Sequence, residues 1–90
     1  MATTISNSID IPDNGKLLIG DSDDLQIYHD GSDSFIKDDG TGSLYIKADN
    51  DIFLSRNANS EVYLKCRIDG AVPLYHNDNE KLATTSTGID

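Results

Sequence analysis

Nine times along the chain an aliphatic residue, or one standing in its place, is followed two positions later by another. Each such step runs into a turn rich in Asp, Asn, Gly and Ser. The steps are Ile9/Ile11, Leu17/Ile19, Leu25/Ile27, Ser34/Ile36, Leu44/Ile46, Ile52/Leu54, Val62/Leu64, Val72/Leu74 and Leu82/Thr84. They begin 8, 8, 9, 10, 8, 10, 10 and 10 residues apart, a period of about nine that leaves four or five residues for a strand and as many for a turn. Alternation with period two is the signature of a strand, and no window keeps the 3.6-residue spacing of a helix. The expectation is an all-β chain of short repetitive strands.

Period two also sorts side chains by face. One face collects Leu17, Ile19, Leu25, Ile27, Ile36, Leu44, Ile46, Ile52, Leu54, Val62, Leu64, Val72 and Leu74, the expected core. The other collects Asp10, Leu18, Gln26, Phe35, Tyr45, Phe53, Tyr63, Pro73 and Ala83, so that from Phe35 to Tyr63 the chain is apolar on both faces. A core drawn from 90 residues, 37% of them hydrophobic and none of them Trp, is thin. Cys66 is the single cysteine and can form no internal disulfide, and no Cys/His set has zinc spacing. Neighbouring copies are the expected cover for the second face, with a partner sheet from the same chain as the competing explanation. Two elongated architectures fit the period: parallel coils wound as an intertwined triple β-helix, or antiparallel meanders assembled three at a time into a β-prism. A single-chain solenoid with nine residues per coil encloses almost no core. Because every strand is followed by a turn of the same kind, residues 1–90 read as one repetitive segment, and the close at Gly88-Ile89-Asp90 reads as a cut within a longer chain.

The chemistry-bearing residues offer little to an enzyme. A net charge of −9 argues against nucleic acid, which calls for a basic face. No apolar run reaches the 18 or so residues of a membrane span, and the first residues lack the basic and apolar regions of a secretory signal. Asp39-Gly40-Thr41-Gly42-Ser43-Leu44 and Asp49-Asn50-Asp51-Ile52 come nearest to calcium-binding nonapeptide turns, but the chain has no Gly-Gly and the spacing wanders. His29 and His76 sit in related hexapeptides, Leu25-Gln26-Ile27-Tyr28-His29-Asp30 and Val72-Pro73-Leu74-Tyr75-His76-Asn77. Three copies of either imidazole meeting on an axis could hold a transition metal; bonding to the adjacent turn is the reading the residues favour. Cys66 alternates with Val62, Leu64 and Ile68 as a small inward hydrophobe, while Lys65 and Arg67 point the other way. No phosphate-loop, nucleophile-elbow or zinc-protease motif is present, so the expectation is no catalytic residue and no cofactor.

The stretch Lys16-Leu17-Leu18-Ile19-Gly20-Asp21-Ser22-Asp23-Asp24-Leu25-Gln26-Ile27-Tyr28-His29-Asp30-Gly31-Ser32 resembles a repeated module in tail-fibre and other virion structural proteins of marine tailed phages, notably those of cyanobacteria. Gly42-Ser43-Leu44-Tyr45-Ile46 and the closing run from Leu74 to Gly88 look like the same module. His76 stands where members often have Tyr, which counts against a paired-histidine site. The resemblance implies a homotrimeric fibre segment of the virion that contributes to host attachment. Its partners would be copies of itself and a host cell-surface glycan or protein. It carries over no receptor-binding residue and leaves shaft and tip equally open. A metal- or calcium-dependent binding module of β-solenoid type is the alternative.

Overall fold

The computed structural model describes residues 7–58 and 61–89. These residues form seven short strands and no helix: β1 (Lys16–Ile19), β2 (Leu25–His29), β3 (Ser34–Asp38), β4 (Ile52–Ser55), β5 (Val62–Cys66), β6 (Pro73–His76) and β7 (Asn79–Ala83). Every pairing is antiparallel and joins neighbours in the sequence, so the strands make two meanders, β1-β2-β3 and β4-β5-β6-β7. All-β character with short strands is as expected, and the direction left open by the period is antiparallel. The chain also divides into two compact units, Met1–Tyr45 and Ile46–Asp90, where the repeat alone showed no boundary.

Two expected steps form no strand. Ile9/Ile11 and Leu44/Ile46 lie outside every ladder, the second on the division between the units. Leu44-Tyr45-Ile46 alternates as well as Ile52-Phe53-Leu54 does but belongs to neither sheet, since alternation alone does not set a segment in a ladder.

The turns explain the direction. Gly20 and Asp23 take positive φ (101° and 56°) in the β1–β2 connection, and Asp23 N–H closes it on the Gly20 carbonyl at 3.2 Å. The Asp24 carboxylate is wedged between Gly20 and Gly40, where an added Cβ would meet its oxygens at 2.6 and 2.8 Å. Between β2 and β3, Asp30 Oδ1 accepts the N–H groups of Ser32 (3.0 Å) and Asp33 (2.8 Å), an Asx turn. Between β6 and β7 the loop is two residues, Asn77 and Asp78, both at positive φ (49° and 65°), as a type I′ hairpin requires.

Within Ile46–Asp90 the ladder between β5 and β6 is narrow. Thr84 N–H donates to the Val72 carbonyl, which turns Val72 and Leu74 toward β7 and Pro73 toward β5. Pro73 has no N–H to give there, and Leu64↔Leu74 is the single residue pair that joins the two strands. Asp78 Oδ1 takes the Val62 N–H at 3.2 Å where that ladder has ended.

Ala at position 20 would combine positive φ with a Cβ pressed on the Asp24 carboxylate. Gly20→Ala is expected to lower stability by roughly 1–3 kcal/mol in denaturant titration. Gly42→Ala, with open space around its Cβ, loses about 1 kcal/mol from backbone conformation alone.

Candidate interaction surface

Register places the expected core residues in rows across the strands. In the first meander Leu17, Ile27 and Ile36 stand opposite one another, flanked by Ile19 opposite Leu25. In the second, Leu54, Leu64, Leu74 and Leu82 form one row through all four strands, beside Ile52 opposite Cys66. A bulge at Tyr63 and another at Lys81 keep the leucines aligned despite unequal strand lengths. The hexapeptides around His29 and His76 both form interior strands, β2 and β6, but they pair differently: Leu25 and Ile27 turn their backbone groups to the preceding strand, β1, and Val72 and Leu74 turn theirs to the following one, β7.

These rows are largely open in the single chain. Leu17, Ile19, Ile27, Ile36, Leu54, Leu74 and Leu82 are between 39% and 63% exposed; Leu25, Ile52, Val62, Leu64 and Val72 are half-buried. Leu44 and Ile46, outside the strands, are exposed. Among the described residues only Pro73 and Ala83 are buried. They pair across β6 and β7 on the face opposite the leucines.

That second face is partly covered from within the chain. Tyr28 and Phe35 stack with ring centroids 4.8 Å apart, and Lys16 lays its ammonium over Tyr28 at 4.6 Å. Lys65 does the same for Phe53, to which it is paired in register, at 4.9 Å. Lysines thus lie against two rings of this face from within the chain. Phe53, Tyr45 and Tyr63 nonetheless remain exposed.

The polar candidates are engaged in turns. His29 Nδ1 lies 2.9 Å from Ser34 Oγ, its cross-strand partner, and His76 stands opposite Asn79 beside the type I′ loop. Both imidazoles sit at strand ends next to a turn. Among the described residues no three His, Cys, Asp or Glu side chains converge as a metal site would require. Asp30, Asp38, Asp51 and Asp78 each accept a backbone N–H, Asp51 from Ile68 at 3.0 Å across the β4–β5 hairpin. Cys66 is half-buried in the aliphatic face opposite Ile52. The pattern of which Asp holds which amide was not visible in a sequence with an acid in nearly every turn.

No protein-family model, curated protein or solved structure matches the chain.

Asp30 titrates below the ordinary 3.8, chiefly because the Asp33 N–H, then that of Ser32, bonds its charged form. A depressed folded pKa means the contribution is present above the unfolded value and is lost as pH falls through the lower folded one. The amide shifts of Ser32 and Asp33 are expected to move together in one acid step with its midpoint below 3.8, and Asp30→Asn to abolish that step.

Proposed function

We propose that this chain is a structural segment of a homotrimeric phage tail fibre, part of the virion, contributing to attachment to the host cell. The observation that carries the assembly is the open aliphatic surface. At roughly 190 Å² for a fully exposed aliphatic residue, the seven exposed row residues leave on the order of 600 Å² of charge-free surface per chain. The four in the first unit account for roughly 350 Å² of it and the three in the second for roughly 260 Å², each a sizeable share of the about 800 Å² that a stable interface takes from one partner. The described residues bury little of their own, two small side chains, and a single cysteine offers no internal disulfide, which favours cover from other copies. Self-association of three chains about the aliphatic rows, as a prism of antiparallel meanders, puts that surface inside and the Asp-rich turns outside.

The fibre identity rests on the resemblance of residues 16–32, 42–46 and 74–88 to virion modules. The fold is compatible with it: short antiparallel meanders joined by Asp-rich turns, with no helix among the described residues. Attachment to a host glycan or protein belongs to that reading, and the role is structural and adhesive rather than catalytic.

Light scattering of the purified chain at micromolar concentration is expected to return the mass of three chains; the mass of one would overturn the proposal. Ile27→Lys places a charge in the middle of an uncharged row, where burial costs several kcal/mol, and is expected to give single chains at the same concentration. Lys16→Ala, on the aromatic face, is expected to keep the assembled mass.

A further inference from the structure

Four turns hold an acid or its amide directly before a glycine: Asn14-Gly15, Asp30-Gly31, Asp39-Gly40 and Asp69-Gly70. A glycine nitrogen has no neighbouring side chain to shield it, so in each pair it can attack the side-chain carbonyl carbon of the residue before. The first pair differs from the others in what is attacked. An ionised carboxylate resists a nucleophile, whereas a primary amide can give up ammonia. The Asp30 carboxylate is also held in its charged form by the Ser32 and Asp33 N–H groups. Around Asp39-Gly40 both nitrogens are tied down, Asp39 N–H to the Asp24 carbonyl at 2.7 Å and Gly40 N–H to Asp38 Oδ1 at 3.3 Å.

The fold itself asks for the Asn-Gly pair. Asn14, exposed, is the third residue of a turn that Gly15 N–H closes on the Pro12 carbonyl at 2.9 Å, and its φ of 66° lies in the left-handed region that Asn tolerates better than most side chains. Position 15 leaves little room for anything but glycine, since a Cβ there would meet Ile11 Cγ2 at 2.8 Å and the Pro12 carbonyl oxygen at 3.0 Å. The same turn holds the reaction back. Its closing bond occupies the Gly15 N–H, the attacking group. A turn of this type also keeps ψ of its third residue at about 0°, a rotation of roughly 120° from the nearly planar five-membered ring that the attack would form. Asn14 N–H, bonded to the His29 carbonyl at 2.7 Å, fastens the turn to β2.

We propose that Asn14 is a site of self-modification, at which the chain deamidates each time the turn from Pro12 to Gly15 opens for long enough. The Gly15 nitrogen loses its proton and bonds to Asn14 Cγ, the Cγ–Nδ2 bond breaks, and ammonia leaves carrying that proton. The succinimide so formed takes up one water. Opening at Cγ leaves aspartate at position 14; opening at the backbone carbonyl leaves isoaspartate, with one carbon added to the main chain. Nothing is oxidised or reduced and no second chain takes part, so the site stands apart from the assembly proposed above. Either product adds a negative charge to a chain at −9, and isoaspartate also lengthens the turn that leads into β1.

Folded chains and chains in urea are incubated in heavy-oxygen water at mildly alkaline pH, where an amide nitrogen loses its proton more readily, and peptide mapping by mass spectrometry follows the label. In folded chains heavy oxygen is expected to enter at position 14 before any other Asn or Asp, and about tenfold or more slower than in urea, as for an opening that costs about 1.4 kcal/mol or more. Asn14→Gly, which keeps the positive φ, is expected to fold alike and to release no ammonia on that time scale. Folded chains still unlabelled at position 14 once those in urea have converted overturn the site, as does ammonia released from Asn14→Gly at the wild-type rate. Equal rates in the two conditions overturn the part played by the turn.

Discussion

A sheet three or four strands wide has two faces, and each needs cover before the strands hold together in water. In this chain the cover divides by side-chain type. Flat rings can be partly covered by lysines reaching across one strand, as Lys16 lies over Tyr28 and Lys65 over Phe53, which stays about half exposed. Branched aliphatic side chains offer no ring face to such a cation and are covered well only by other packed apolar groups. The aromatic face is therefore partly closed inside one chain, while the rows of Leu and Ile stay open.

The strand positions were largely readable from alternation. Leu17/Ile19, Leu25/Ile27, Ser34/Ile36, Ile52/Leu54 and Val62/Leu64 all fall within strands, and Val72 misses only because β6 begins at Pro73. Leu44/Ile46 has the same local pattern and no ladder, because pairing is a property of neighbours and not of the segment itself. Direction was hidden for a related reason: a nine-residue period suits a coil or a hairpin, and the difference lies in whether turn residues reverse the chain. Gly20, Asp23, Asn77 and Asp78 do so through positive φ, which Asn and Asp permit without announcing. The lysine covers were less readable still, since Lys16↔Tyr28 and Phe53↔Lys65 follow from register, and register follows from exact loop length.

The echo between the two histidine hexapeptides proved to be architectural. Both occupy an interior strand that ends in a turn, with the histidine paired in register with a polar residue, Ser34 or Asn79, on the next strand. The echo stops at the strand itself, because Ile27 turns its backbone groups to the preceding strand and Leu74 to the following one. The repetition is imperfect where local chemistry intrudes: Pro73 thins one ladder, bulges at Tyr63 and Lys81 restore alignment, and β4 widens the second sheet.

Pairing strictly between consecutive strands has a kinetic consequence. Among the described residues no ladder waits on a distant part of the chain, so each hairpin closes over a short loop, an event on the order of microseconds. The β6–β7 hairpin, with its two-residue loop, has the least entropy to lose on closing. Registers within one chain can thus be sampled long before two chains meet at micromolar concentration. Under the proposed assembly, the slow step is bimolecular, and the rate at which native structure accumulates rises with protein concentration.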